Sequence, residues 1–243
     1  MISIITISYN SVNTISDTLK SIESQLMQDF EYIIVDGGST DGTLEIINNC
    51  SRVDKLISEP DNGIYDAFNK GINNSTGDII GFLNSDDVFY DENSLKIIID
   101  SFNENIDCVF GDLVYKDSYG KIKRVWKGSP FKKGAFKRSW MPAHPTFYCK
   151  RDFYSKHELY NDSYIIAGDF ELMLRFFEKY NIKSNYIPKT LLSMRTGGIS
   201  NQSIRNKFRI LFEEFRAFKE NNISINKILY LLYKSLKIFE FKL

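Results

Sequence analysis

The sequence predicts an α/β fold: a mainly parallel central sheet with helices on both faces, followed by a C-terminal helical extension. Three observations carry this. Short runs rich in Ile and Val alternate with helix-spaced apolar stretches through residues 2–102. Each apolar run stops abruptly at polar residues or glycine, as a buried strand does where it leaves a sheet. Helical stretches separate these runs, so neighbouring strands connect by crossovers rather than hairpins.

The elements follow in order. Residues 2–8 (Ile-Ser-Ile-Ile-Thr-Ile-Ser) are largely β-branched and read as a buried strand, broken by Tyr9-Asn10-Ser11. A helix is expected over 14–26, with Ile15, Leu19, Ile22 and Leu26 on one face. A second strand over 30–35 ends in Asp36-Gly37-Gly38-Ser39-Thr40-Asp41-Gly42-Thr43, where glycines permit a tight turn. Thr40 or Asp41 can cap the helix over 43–49. A strand at 55–58, a turn-rich loop at 59–63 and a helix at 64–73 come next. A strand at 78–83 and a helix at 92–102 complete the alternation.

After Ile106 the pattern changes. Residues 107–115 and 121–126 read as a hairpin turned by Asp117-Ser118-Tyr119-Gly120. Residues 121–138 hold eight basic side chains and no acidic one, punctuated by Gly and Pro, which predicts a mobile cationic surface loop. A strand at 146–150, a helix at 170–180, and two short strands at 182–186 and 190–194 are expected. A glycine break at 196–198 precedes helices at 202–220 and 225–239. The predicted division is a domain over 1–200, in halves 1–105 and 106–200, and a helical extension over 201–243.

At 243 residues, 43% hydrophobic and 26% charged, the chain can bury a core of ordinary size. Zero formal net charge gives no general argument for nucleic acid. The three cysteines, Cys50, Cys108 and Cys149, fit neither a disulfide framework nor a zinc pattern, and a reducing cytoplasm is expected. No basic n-region precedes the first strand, and no run approaches the length of a membrane-spanning helix.

The chemistry collects at strand ends. Asn84-Ser85-Asp86-Asp87 closes the strand at 78–83. In open α/β sheets ligands gather at the carboxyl ends of strands. Two adjacent carboxylates repel, which a hard divalent cation such as Mg²⁺ or Mn²⁺ would relieve while bridging to phosphates. A solvated acidic loop, with Asp87 starting the next helix, is the plainer reading. Asp36, beside its glycine turn, is either a turn residue or an acceptor for a nucleobase or ribose. Neither a Gly-x-x-x-x-Gly-Lys phosphate loop nor Gly-x-Gly-x-x-Gly follows the first strand.

Four segments in order carry a resemblance: Ser-Tyr-Asn; Val-Asp-Gly-Gly-Ser-Thr-Asp-Gly-Thr; Glu-Pro-Asp-Asn-Gly-Ile-Tyr-Asp-Ala-Phe-Asn-Lys-Gly-Ile; and Gly-Asp-Ile-Ile-Gly-Phe-Leu-Asn-Ser-Asp-Asp. Together they resemble family 2 glycosyltransferases of the GT-A fold, closely over 2–90 and more loosely to about Gly198. The resemblance implies a nucleotide-sugar donor contacted by Thr6, Ser8 and Asp36, with Asp61 and Lys70 near the nucleotide. Asn84-Ser85-Asp86 stands for the family's Asp-x-Asp motif with its first Asp replaced. Asp86 is then the metal ligand, and Asp87 an alternate or supporting carboxylate. Ala-Gly-Asp-Phe-Glu-Leu-Met-Leu-Arg at 167–175 resembles the family's second signature. By that match Asp169 is the general base, with a helix N-cap as its structural alternative and Glu171 as runner-up. Arg175 can pair within its own helix.

Trp140 and His144 are candidates for the acceptor side, each with a core role as alternative. In the last helix Ile225, Ile228, Leu229, Leu232, Leu236 and Phe239 line one face, opposite Lys227, Tyr230, Lys234 and Lys237. A membrane interface and a packed domain or second subunit are both open for it. The expected function is a metal-dependent inverting glycosyltransferase acting on a glycan or lipid-linked glycan in bacterial surface-polysaccharide synthesis. It is placed in the cytoplasm or on the inner face of the membrane. A sugar nucleotidyltransferase and a non-catalytic carbohydrate-binding relative are the alternatives.

Overall fold

The computed structural model describes residues 1–196 and 204–240. The expectations at Gly197, Gly198 and Gln202, and the side chain of Phe239, lie outside the described residues. Nine strands among them form one sheet, ordered β3–β2–β1–β4–β8–β6–β9–β5, with β7 beside β6. The first half is parallel throughout: β1 (Ile2–Ser8) lies between β2 (Phe30–Asp36) and β4 (Ile79–Phe82), and β3 (Lys55–Ser58) lies outside β2. Three crossover helices join them: α1 (Ile15–Glu23), α2 (Thr43–Asn48) and α3 (Ile64–Asn74).

Alternation along β1 and β2 sorts the core into two layers. Ile5, Ile7, Ile33 and Val35 face Phe68 and Ile72 of α3, while Ile2, Ile4, Tyr32 and Ile34 face Ile15, Leu19 and Ile22 of α1. Successive strand side chains point to opposite faces, so a sheet buried on both sides needs apolar residues at nearly every position. Each fully buried aliphatic side chain contributes about 1.5–3 kcal/mol. Helix α1 stops at Glu23, short of the expected end. Beyond it the Gln25 amide bonds the carbonyls of Ser21 and Asp91, and its Oε1 accepts from the Leu95 N–H.

The second half is mixed. β6 (Cys108–Lys116) and β7 (Ile122–Trp126) form the expected hairpin, and β8 (Tyr148–Lys150) is antiparallel to both β4 and β6, joining the halves. Gly81 is required at that junction, because a Cβ there would stand 2.0 Å from the Tyr148 ring. Short helix α4 (Ser94–Asp100) follows β5 (Asp87–Phe89), and α5 (Arg151–His157) follows β8.

Three expectations are corrected. The strands expected at 182–186 and 190–194 are one bulged strand, β9 (Ser184–Arg195), parallel to β6 and antiparallel to β5. The bulge faces Gly111 to Leu113, and register shifts of two residues and then one absorb what reads as a break. Asp87 opens strand β5 rather than a helix, because β9 supplies an edge for residues 87–89 to pair with. The basic stretch 121–138 is anchored. Phe136 is fully buried, Phe131 and Trp140 pack beside it, and Glu178 accepts from the Gly134 and Phe136 N–H groups.

Helix α6 (Gly168–Leu174) widens into a π-helical turn over Arg175–Lys179, with the Tyr180 N–H donating to the Arg175 carbonyl at 3.1 Å. Helices α7 (Ile204–Glu220) and α8 (Lys227–Glu240) end the described chain. Helix α7 packs on α6, and α8 packs on α7 through Tyr230, whose ring meets Phe215 and Phe218.

Candidate active site at the carboxyl edge of the sheet

The carboxyl ends of β1, β2, β3 and β4 lie side by side. Parallel register sets Ser8 beside Asp36 and Asp36 beside Ser58, and the Ser85 N–H donates to the Ile7 carbonyl at 3.3 Å. The loops are laced across this edge. Asn10 N–H donates to Ser39 Oγ at 2.8 Å, Ser11 N–H to Thr43 Oγ1 at 2.8 Å, and the Ser11 and Ser85 hydroxyls meet at 2.8 Å.

Asp36 is fully buried and its carboxylate is fully used. Oδ1 accepts from the N–H groups of Gly38 and Ser39 and from Ser58 Oγ, and Oδ2 accepts from Ser39 Oγ at 2.6 Å. A carboxylate turned back onto its own loop in this way organises the turn. Thr6 is likewise occupied, its Oγ1 2.9 Å from the Tyr32 hydroxyl, whereas the buried Ser8 Oγ has no partner. Asp61 accepts from the Gly63 N–H at 3.0 Å. Its other oxygen lies 2.5 Å from the place a Cβ on Gly37 would take, so the missing side chain at 37 is what lets Asp61 reach the edge. Lys70 ties the 59–63 loop to α3 instead of standing open: its Nζ is 3.0 Å from Glu59, 3.4 Å from Asp66 and 2.9 Å from the Pro60 carbonyl. Tyr9, which sequence reasoning passed over as a loop residue, stands 64% exposed here. Its ring edge is 3.3 Å from the same empty Cβ position.

Asp86 and Asp87 diverge. Burial raises the Asp86 carboxyl above its usual range, opposed by the charge of Arg195, which is paired with Asp17. Asp87 is enclosed in β5. Burial first, and then the Asp86 charge, push its carboxyl well up. Its Oδ2 accepts from the Asn84 amide at 3.2 Å, while its Oδ1 and the Asn84 Oδ1 are buried without partners. The donor set at this corner is therefore all oxygen, hard, and short of positive charge, which suits Mg²⁺ or Mn²⁺ held by one or two carboxylates and substrate phosphates. Among the described residues no three His, Cys, Asp or Glu side chains converge as a closed protein cage.

Asp169 comes to the start of α3 from the other half of the chain. It lies in the first turn of α6, where the Gly168 Cα is packed on Tyr65 so closely that a Cβ would stand 2.7 Å from the ring. Tyr65 opens α3 and donates to the Ile166 carbonyl at 2.7 Å. The expected N-cap role belongs elsewhere. Ala167 occupies the cap position, and Glu213 of α7 accepts from the N–H groups of Ile165, Ile166 and Ala167 at 2.8–3.1 Å. Among the described residues, Asp169 Oδ1 accepts from the adjacent Phe170 N–H at 2.7 Å and Oδ2 has no hydrogen-bond donor. Burial, and then the nearby Glu214 and Glu213 charges, raise its carboxyl to about 7, the range of a general base at neutral pH. No local signal could have found Glu213, because it stands in another helix far along the chain.

Glu171 is tied up. It forms a buried pair with Arg175 at 2.9 and 3.0 Å and accepts from Asn221 at 3.1 Å, while Arg175 also donates to the Glu158 and Leu159 carbonyls. His144 lies in the aromatic core against Phe68 and Phe82, its Nε2 2.8 Å from the Tyr160 hydroxyl, and burial lowers its pKa to about 4. Trp140 packs edge-on against Phe110, Phe136 and Phe177 and donates to Ser129 Oγ at 2.9 Å. A surface cavity of about 540 Å³ beside α4, with Tyr90, Lys96 and Lys189 in its wall, involves none of these residues.

A parallel half-sheet with carboxylates and serines along its carboxyl edge, joined to a mixed half that brings one loosely held acid, defines a GT-A nucleotide-sugar transferase fold. Residues 3–180 match the family model for glycosyl transferase family 2, and the chain belongs to that family. It is 30% identical over 216 residues to a PGL/p-HBAD biosynthesis glycosyltransferase of Mycobacterium bovis, a match covering 86% of this chain and 82% of the relative. Among solved structures, residues 1–349 of Staphylococcus aureus TarS in complex with UDP-GlcNAc superpose with a TM-score of 0.68 at 16% identity, over 96% of this chain and 71% of that one. Against a longer TarS chain the match covers 43% of its length. The mannosyltransferase PcManGT of Pyrobaculum calidifontis, in complex with GDP-Man and Mn²⁺, gives 0.66 at 16% identity, over 90% and 63% of the two chains. The protein is thus a family 2 glycosyltransferase.

Proposed function

We propose that this glycosyltransferase moves one sugar, with inversion, from a nucleoside-diphosphate donor to a hydroxyl of a glycan or lipid-linked glycan in bacterial surface-polysaccharide or glycolipid assembly. The observation that carries this is Asp169: a carboxylate with one free oxygen, poised near neutral pH, beside the start of α3. The acceptor hydroxyl gives its proton to Asp169 as its oxygen bonds the anomeric carbon. The bond from that carbon to the diphosphate breaks, and the nucleoside diphosphate leaves with the electron pair.

Ser8, with its unpartnered hydroxyl, and Asp61, beside Gly37, contact the nucleoside. Tyr9 offers an exposed ring face on which a base can stack. Asp36 and Thr6 act by holding the turn and strand that carry these contacts. Asp86 would hold Mg²⁺ or Mn²⁺, and Asp87 orients Asn84 from behind it. When bound, the ion neutralises the charge that grows on the leaving diphosphate. Complexes of TarS with UDP-GlcNAc and of PcManGT with GDP-Man and Mn²⁺ support both the donor class and the metal.

Thermal-shift titration with UDP, GDP, CDP and dTDP, each with and without Mn²⁺, tests the donor site. A ligand at a hundredfold its Kd stabilises by about 2.7 kcal/mol. The metal-dependent part of the shift disappears in Asp86→Ala. No shift with any nucleotide would sink the reading.

A further inference from the structure

Helix α8 is docked inside out. At 100° per residue, Ile228, Leu229, Leu232 and Leu236 form one apolar face, and Tyr230, Tyr233, Lys234 and Lys237 the other. A surface helix normally buries its apolar stripe. Here the polar side is the one packed inward. Tyr230 is buried, and Lys234 pairs with Glu214 of α7. The apolar face is turned outward, with Ile228 74% and Leu236 59% exposed. Helix α7 does likewise with Phe208 and Phe212, the latter 71% exposed. Exposed apolar faces of this size mark an interaction site.

Charge identifies the occupant. Arg205 and Lys219 are exposed and fall, at 100° per residue, on the Phe208 and Phe212 face of α7, whereas Lys227 lies over the Phe215 ring on the packed side of α8. The acids whose side chains are described do not oppose them. Glu213 is buried capping α6, Glu214 is paired with Lys234, and Glu220 with Arg216. A two-fold contact with a second copy would set these cations against their own counterparts without acidic partners. A plane of anionic phosphates offers them complementary charge, and takes up Leu, Ile and Phe at the acyl boundary.

We infer that the outward faces of α7 and α8 seat the enzyme on an anionic lipid surface. No described helix is long and apolar enough to cross a membrane, so the contact is interfacial. From its packed side the same α7 supplies Glu213 to the N–H groups of Ile165, Ile166 and Ala167 just before α6, so the seated helix adjoins the Asp169 end of the site. That is where a lipid-linked acceptor would arrive.

The test is co-flotation of the full-length protein with vesicles of phosphatidylcholine alone and of phosphatidylcholine with phosphatidylglycerol, alongside its oligomeric state by light scattering. Binding is expected to the anionic vesicles, weakened by salt. It should fall by about thirtyfold in Arg205→Gln/Lys219→Gln, at roughly fivefold per cation. Leu232→Ser/Leu236→Ser and Phe208→Ser/Phe212→Ser each remove binding while leaving the far-ultraviolet circular dichroism unchanged, because these side chains are already in water. Absence of binding to anionic vesicles overturns the inference. So does a stable dimer that those apolar substitutions dissociate, or equal binding to neutral vesicles. None of these readouts depends on sugar transfer.

Discussion

Asp36 at the end of β2 and Asp169 at the start of α6 hold their carboxylates in opposite ways. Asp36 is bonded by two backbone N–H groups and two hydroxyls, all but one from residues within three positions of it. Asp169 has one bond, from the next residue, and two other carboxylates nearby. The first half of the sheet thus fixes its acid by local chain geometry, and the second leaves its acid free because Glu213 takes the N–H groups before α6. An acid that builds structure has its lone pairs filled; one that takes a proton keeps a lone pair open.

The largest expected break in this contrast is Asp169→Asn, which should lower sugar transfer by about 10²–10⁴-fold while the nucleotide-induced thermal shift persists. Normal transfer by that variant would reassign the base. Asp36→Asn should act the other way round. It removes acceptors from the turn and costs about 2–4 kcal/mol of stability, read as a lower denaturation midpoint, with donor affinity falling only because the loop loosens.

The pH dependence sharpens the comparison further. Asp169 titrates at about 7 folded and near 4 unfolded. The folded chain therefore holds the extra proton between those values, and this group's contribution to stability falls as pH rises from about 4 to 7. Asp169→Asn removes that cost, stabilising the protein by roughly 1–3 kcal/mol above pH 7 and little below pH 4. His144 runs in the opposite sense, titrating at about 4 folded and about 6.5 unfolded. Its contribution is complete above pH 6.5 and lost as pH falls toward 4. The two partly cancel in the parent protein, so Asp169→Asn should show a steeper loss of melting temperature below pH 6.5. A flat difference between the two melting profiles across pH 4–8 would contradict the assigned environment of Asp169.

The smallest expected effect is on the acid limb of the rate profile. Transfer should rise through pH 7 as Asp169 loses its proton. Glu214→Gln should move that limb to lower pH, since the Glu214 charge raises the Asp169 carboxyl more than the Glu213 charge does. An unmoved limb would mean burial alone sets the value.

Much of the donor half was legible in the chain. The buried strand runs, the glycine turn after Val35 and the polar stop after Leu83 depend on side-chain periodicity and turn chemistry, which act over a few residues. Strand β5 was not legible. Residues 87–89 become a strand only because β9 supplies a partner more than a hundred positions later. The cationic stretch read as mobile from its composition, yet Phe136 and Glu178 pin it, and neither contact has a local signature. His144 and Trp140, open between site and core by sequence, lie among packed aromatic rings.

The sequence by itself determined the alternation of strands and helices, the family motifs, and which residue types stand where strands end, because each follows from neighbours within one or two turns of chain. Tertiary structure alone decided which acids are saturated and which are open, and which way the last helix faces. Those properties belong to contacts between distant segments: Glu213 with the start of α6, Asp61 with Gly37, Lys234 with Glu214. A hydrogen bond or an ion pair fills an oxygen's lone pairs only once both partners are in place, and no spacing along the chain records that meeting.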